Sequence, residues 1–112
     1  MVDASQAFGK VEVDVDRIKC DFLVLAGHKF YGPRIGALYM RNREDLTPML
    51  LGGGQESGQR SGTENTPMIV GLGAAAELVT QNLTQYALNM KTARDLLYKL
   101  LSGKNKVTWL SG

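Results

Sequence analysis

From Thr66 to Leu101 apolar residues recur every three or four positions, through Leu72, Val79, Leu83, Tyr86, Met90 and Leu97. That spacing predicts one amphipathic helix over about 67–102. Thr66 is a competent N-cap, Pro67 suits the first helical position and Gly103 suits the C-terminal stop, with Lys99 near the negative end of the dipole. An unbroken helix of that length runs about 50 Å at 1.5 Å per residue. A compact domain of this size has a radius of gyration near 13 Å, about a quarter of that length. The mismatch predicts that the chain is a piece of a larger domain rather than a domain closed on itself.

The other half of the chain reads as sheet and loop. Phe22 to Ala26 is a continuous apolar run, suited to a strand buried on both faces. Gly27 ends it and Gly32-Pro33 makes a turn. Ile35 to Arg41 reads as the next strand, and so short a connection favours an antiparallel partner. Met1 to Ala7 reads as a strand end entering a turn. Val11 to Val15 alternates apolar and acidic residues but is short, and a loop with a helical turn over 16–19 fits it equally. Residues 52–65 hold five glycines among polar side chains and are expected to be an exposed, mobile loop. Residues 107–110 read as the start of a further strand.

Composition removes several function classes. A net charge of +2 with scattered basic residues gives no footprint for nucleic acid or a membrane surface. No apolar run approaches the roughly 20 residues of a spanning helix, and no signal-peptide core follows Met1. These absences point to the cytosol or an organelle matrix, and the cytosol is the expected location. One cysteine, Cys20, excludes an internal disulfide, and with a single histidine, His28, a metal site is not expected. Cys20 lies between Lys19 and Asp21, ahead of the apolar strand, and is read as a small semi-buried residue rather than a nucleophile.

Lys29 is the chemically pointed residue. It follows the apolar strand in Gly27-His28-Lys29-Phe30-Tyr31-Gly32-Pro33. A lysine at a strand exit, held against apolar walls, can present a free amine that forms a Schiff base with an aldehyde. Upstream, Asp3 offers the carboxylate that a pyridine nitrogen needs to stay protonated. Gln6, three residues on, can donate an amide hydrogen bond to a ring hydroxyl. Together these read as half of a pyridoxal 5'-phosphate site.

Asp3-Ala4-Ser5-Gln6-Ala7-Phe8-Gly9-Lys10, the Lys29 segment through Tyr39, Gly52-Gly53-Gly54-Gln55-Glu56 and Arg60-Ser61-Gly62-Thr63-Glu64-Asn65-Thr66-Pro67 occur in that order. In this order they resemble the class V aminotransferase-like enzymes, and within them the cysteine desulfurase and selenocysteine lyase group. The wording of Gly32 to Tyr39 and of Thr63 to Ile69 is most similar to the selenocysteine lyase branch. The resemblance implies an α/β fold: residues 1–112 as part of the large, cofactor-binding domain of the fold-type I pyridoxal phosphate transferases. It implies release of reduced selenium from L-selenocysteine to give L-alanine, or, as the alternative, release of sulfur from L-cysteine. A truncated, non-catalytic product is the third reading, because the family's phosphate loop and catalytic cysteine have no counterpart here. Lys29 is then the covalent anchor and proton carrier, Asp3 and Gln6 hold the ring, and Gly27 and His28 lie at the phosphate. Thr63 reaches the phosphate of the other subunit of a homodimer. Ala26 stands where many desulfurases carry a phosphate-binding Ser, which leaves backbone amides at Gly27 and His28 to serve.

Two other patterns fail on context. Gly71-Leu72-Gly73-Ala74-Ala75-Ala76 fits a dinucleotide fingerprint, but it falls inside the predicted helix with no strand before it. No Gly-Lys pair is followed by Ser or Thr, so the glycine loop is not a nucleotide P-loop.

Overall fold

The computed structural model describes residues 1–104, 107, 108 and 110. Among the described residues the sheet has three strands, β1 (Val2–Asp3), β2 (Phe22–Ala26) and β3 (Gly36–Met40), in that spatial order. β1 lies parallel to β2, with Asp3 opposite Val24. β3 returns antiparallel, pairing Phe22 with Met40 and Ala26 with Gly36. The short helix α1 (Val15–Ile18) stands between β1 and β2, and the long C-terminal half forms α2 (Thr66–Gln81) and α3 (Leu83–Leu101). The open reading at residues 11–19 resolves to the helical turn. Asp14 caps it by accepting hydrogen bonds from the amides of Asp16 and Arg17.

The expected single helix over 67–102 is two helices meeting at Asn82. Apolar spacing passes through this point unbroken, but the backbone does not, with Asn82 at φ −112°, ψ 15°. Asn82 Nδ2 donates to the Leu78 carbonyl at 2.8 Å, and Thr80 Oγ1 donates to the Ala76 carbonyl at 2.8 Å. Side chains that compete for helical carbonyls loosen and bend the last turn. The N-cap is Asn65 rather than Thr66, its Oδ1 accepting from the Met68 amide at 3.4 Å. Gly103 closes α3 as expected, at φ +86°. The strand expected over 107–110 includes Trp109, which lies outside the described residues.

Burial is thin. Ala4, Cys20 and Leu23 form one core cluster, with Val2, Ala7, Val13, Val15, Leu25 and Tyr39 packed around it. Among the described residues, Phe30 and Val79 are the largest fully buried side chains. Of the apolar run in β2 only Leu23 is buried, so the two-sided burial expected of that strand is not met by this chain. The radius of gyration is 18.5 Å and the longest dimension 60 Å, against about 13 Å for a compact domain of this length. No described helix is long and apolar enough to cross a membrane.

What fixes the sheet to its surroundings is local. Arg41, just past β3, donates Nε to the Cys20 carbonyl, Nη2 to the Val15 carbonyl and Nη1 to Asp16 Oδ1, at 3.1–3.2 Å. That one guanidinium joins the exit of β3 to α1. On the other side, α2 lies against the turn that follows β2, bringing Leu72 to Gly27, Ala75 to Gly32 and Pro33 to Gly71. Gly71 and Gly73 sit inside α2, not in a strand–helix turn; Gly71 admits Pro33 at close range, while a Cβ at Gly73 would meet nothing within 4 Å.

Candidate active site

Two parallel strands ending side by side create an edge where both chains turn away, and such carboxyl-end edges hold ligands in α/β sheets. Asp3 is the last residue of β1 and Gly27-His28-Lys29 is a 3₁₀ turn directly after β2. The register therefore brings the Asp3 and Lys29 segments, far apart in sequence, to one end of neighbouring strands.

After Asp3 the chain folds into two tight turns. The Ala4 amide donates to the Val24 carbonyl at 3.0 Å, holding the strand exit. Ala7 and Phe8 then donate back to the Ala4 carbonyl, and Lys10 and Val11 to the Ala7 carbonyl. Asp3 Oδ1 accepts the Ser5 amide at 2.9 Å. Hydrogen bonds from the Ser5 side chain and then from its amide hold the Asp3 carboxyl below the usual carboxylate range. Asp3 is thus a fixed anion at neutral pH, although it is exposed. Gln6 is exposed on the same turn.

The Lys29 turn is closed around Gly27. The Gly27 carbonyl accepts the amides of Phe30 at 3.0 Å and Gly32 at 2.9 Å, while its own amide donates to the Ile35 carbonyl at 2.8 Å. That amide, expected to face a phosphate, is already spent within the turn, and Gly27 acts through its shape. A Cβ there would stand 2.6 Å from the Pro33 carbonyl oxygen and 2.8 Å from Leu72 Cδ1. Tyr31 takes the left-handed conformation at φ 69° and its ring meets Tyr86 of α3 edge-on. Sparsely populated backbone one residue beyond Phe30 is the kind of local strain that collects at functional turns. Lys29 and His28 are exposed, and the apolar walls expected around Lys29 are not supplied by the described residues. A shallow hollow of about 220 Å³ beside the turn is lined by Ala26, His28, Arg34, Ile35 and Gly36.

Three consecutive residues that sequence reasoning passed over, Phe8, Gly9 and Lys10, couple the two turns. Phe8 and Phe30 meet edge-to-face with ring centroids 4.8 Å apart. Gly9, at φ +77°, packs so closely that a Cβ would touch Phe30 Cβ at 3.0 Å. Lys10 Nζ donates to the Gln6 carbonyl at 3.0 Å and to the Lys29 carbonyl at 3.3 Å. The signal was present as Phe-Gly-Lys directly after the Asp-x-x-Gln turn, but its partners lie about 20 residues away and only the folded turn reveals them.

Thr63 lies elsewhere. It is exposed in the glycine-rich loop, and among the described residues no hydrogen bond or ion pair joins it to the Lys29 turn. The loop is tied both within itself and to Arg43. Arg43 Nη1 donates to Ser57 Oγ at 2.7 Å, Gln59 Nε2 to the Arg43 carbonyl at 3.1 Å, and the Gly62 amide to Gln55 Oε1 at 3.1 Å. Arg60 Nη1 donates to the Ser61 carbonyl at 2.8 Å, which steadies the residues just before Thr63. Cys20 is buried in the core under β2, as expected of a structural thiol.

The family model for aminotransferase class-V matches residues 1–111. The chain belongs to the class-V aminotransferase family. Within it, the chain is 58% identical over 105 residues to a selenocysteine lyase of Homo sapiens, covering 91% of this chain and 24% of the relative. It is 49% identical over 100 residues to the cysteine desulfurase IscS of Ehrlichia chaffeensis, covering 86% and 24%. Among solved structures, a NifS-like protein from Rickettsia africae superposes with a TM-score of 0.83 at 34% identity, over 95% of this chain and 30% of that one. The chain thus spans about a quarter of the length of the curated relatives it matches, at 24% for both. The mixed α/β architecture, with a parallel strand pair ending at the Lys29 turn, is the class-V fold in that quarter.

Proposed function

We propose that this chain carries the lysine half of a pyridoxal phosphate site in an enzyme that splits L-selenocysteine into L-alanine and reduced selenium. The observation that carries the reading is the placement of Asp3 and Lys29 at one carboxyl edge of two paired strands, in a chain 58% identical to a selenocysteine lyase. The residues fit the group. Asp3 is an anion fixed by Ser5, and a carboxylate held ionised suits a protonated pyridine nitrogen. Lys29 extends from a closed turn with its amine exposed, where an aldehyde can reach it.

When bound, the cofactor supplies an electron sink for the bond broken at the substrate. Asp3 holds the ring nitrogen's proton through its fixed charge. Gln6 offers an amide donor on the same turn. Lys29 anchors covalently and, once displaced, moves a proton at the substrate α-carbon. His28 and Gly27 shape the side of the turn toward the phosphate, with Arg34 beside His28 in the hollow. Thr63, with no tie to this turn, serves the site of a second copy in a homodimer. The apolar residues Met49 and Leu51, just before its loop, are 94% and 83% exposed and offer surface for that partner to cover.

Cysteine desulfurase is the second reading, favoured by the 49% identity to a desulfurase. Both are tested in two steps. Pyridoxal phosphate added to the purified chain, followed by borohydride and peptide mapping, is expected to mark Lys29 above every other lysine; evenly spread adducts refute a preformed half-site. Alanine release by the polypeptide carrying this chain is expected to be faster from selenocysteine than from cysteine. The reverse order establishes the desulfurase reading instead.

A further inference from the structure

We infer that Lys10 is a positioning residue that sets the direction of Lys29 by gripping the peptide unit that follows it. A peptide unit is planar, so its carbonyl oxygen and the next amide hydrogen move as one plate. The plate after Lys29 is held at both ends. Its oxygen accepts Lys10 Nζ at 3.3 Å, and its Phe30 N–H donates to the Gly27 carbonyl at 3.0 Å. With both ends fixed, the backbone angle that swings the Lys29 side chain over the sheet edge loses its freedom.

The grip is built into its surroundings. Lys10 is half-buried, and its second bond, to the Gln6 carbonyl at 3.0 Å, roots the ammonium in the turn that carries Asp3 and Gln6. The neighbouring residues grip the same dipeptide. Phe8 stacks edge-on against Phe30, and Gly9 admits Phe30 at contact distance because it has no Cβ and takes a positive φ. Phe30 itself is 1% exposed. Three consecutive residues thus hold the segment beside Lys29, and Lys10 is the one that hydrogen-bonds the Lys29 carbonyl. A charged donor to a neutral carbonyl is stronger than a neutral pair. The Lys10 ammonium therefore couples the ring-holding turn to the anchoring turn, so the two halves of the edge move together.

The inference that Lys10 serves cofactor placement rests on the proposed function; the backbone grip does not, and the test separates them. Lys10→Met, which keeps the length and loses the donor, is compared with wild type and with Lys10→Arg, which keeps a charged donor. The cofactor-free readout is amide exchange by NMR. Lys10→Met is expected to speed exchange at Phe30 and Gly32 about tenfold, with α2 amides unchanged and with substantial recovery in Lys10→Arg. The cofactor readout is the share of borohydride-trapped label on Lys29, expected to fall in Lys10→Met and recover in Lys10→Arg. Unchanged exchange at Phe30 and Gly32, or faster exchange spread evenly over the chain, overturns the grip. If Lys10→Met does not fold, Lys10→Gln takes its place in the same comparison. Wild type that takes no label at Lys29 refutes the cofactor reading, while the exchange rates still decide the grip.

Discussion

Adding the same methyl group at two glycines is expected to change local stability in opposite directions. At Gly73 in α2, a Cβ meets nothing within 4 Å. Gly73→Ala therefore gains helix propensity and loses unfolded-chain freedom, about 1 kcal/mol in all. At Gly27 the same unfolded-state gain of roughly 0.4–1 kcal/mol is opposed by sterics. The new methyl stands 2.6 Å from the Pro33 carbonyl oxygen, 2.8 Å from Leu72 Cδ1 and 3.0 Å from the Ile35 carbonyl oxygen. Two of those atoms are backbone, in a turn that Gly27 closes with bonds to Ile35, Phe30 and Gly32, so relief requires opening one of them. Overpacking costs about 1–3 kcal/mol and a lost hydrogen bond about 1 kcal/mol. The net loss is about 2 kcal/mol, or roughly thirtyfold in local opening. Deuterium exchange by mass spectrometry reads both ends. Peptides covering 22–36 are expected to exchange roughly thirtyfold faster in Gly27→Ala, and peptides covering 66–81 about fivefold slower in Gly73→Ala. Unchanged exchange over 22–36 in Gly27→Ala refutes the close approach of Pro33 and α2 to the Lys29 turn.

Val79 is 2% exposed and faces the Gly9 turn, so Val79→Ala is expected to cost about 2 kcal/mol in urea unfolding followed by circular dichroism, against less than about 0.5 kcal/mol for the exposed Val70→Ala. Asp14 is held below the usual carboxylate value by the amides of Arg17 and Asp16. A lowered folded pKa gives stability that is fully present above the unfolded value of about 3.9 and is lost as pH falls through the folded value. The Asp16 and Arg17 amide resonances are therefore expected to shift toward random coil only below about pH 4, and Asp14→Asn, which still caps, is expected to abolish that titration.

How far the sequence revealed the fold depended on whether the deciding force was periodic or local. Phe22 to Ala26 and Ile35 to Arg41 were legible because a short Gly-Pro connection leaves two strands little choice but an antiparallel return. The junction at Asn82 was not, because Val79, Leu83 and Tyr86 keep helical spacing across it. Capture of carbonyls by Thr80 and Asn82 decides it, and that leaves no mark on periodicity. Asn65 and Thr66 are both competent caps, so spacing alone could not choose between them. At the site, Lys29 and Asp3 were legible from residue chemistry in order. Lys10 was not, since its partner is 19 positions away and the contact exists only once residues 4–11 have coiled back on themselves.

The arrangement at the sheet edge divides labour in a way that suits the proposed chemistry. A side chain that anchors a group covalently and then carries a proton must swing without its root moving. Lys29 meets both demands. Its side chain is exposed and its backbone is fixed, by Gly27 on one side and by Lys10 and the buried Phe30 on the other. Asp3 has the opposite requirement, because a counter-charge must stay where the ring nitrogen is, and Ser5 fixes its carboxylate directly. Backbone hydrogen bonds, the Lys10 bridge and the Phe8–Phe30 contact accordingly tie together the turns of residues 3–11 and 27–35. Tying those turns to each other, rather than each to the sheet alone, fixes the Asp3 charge relative to the root from which the Lys29 side chain swings.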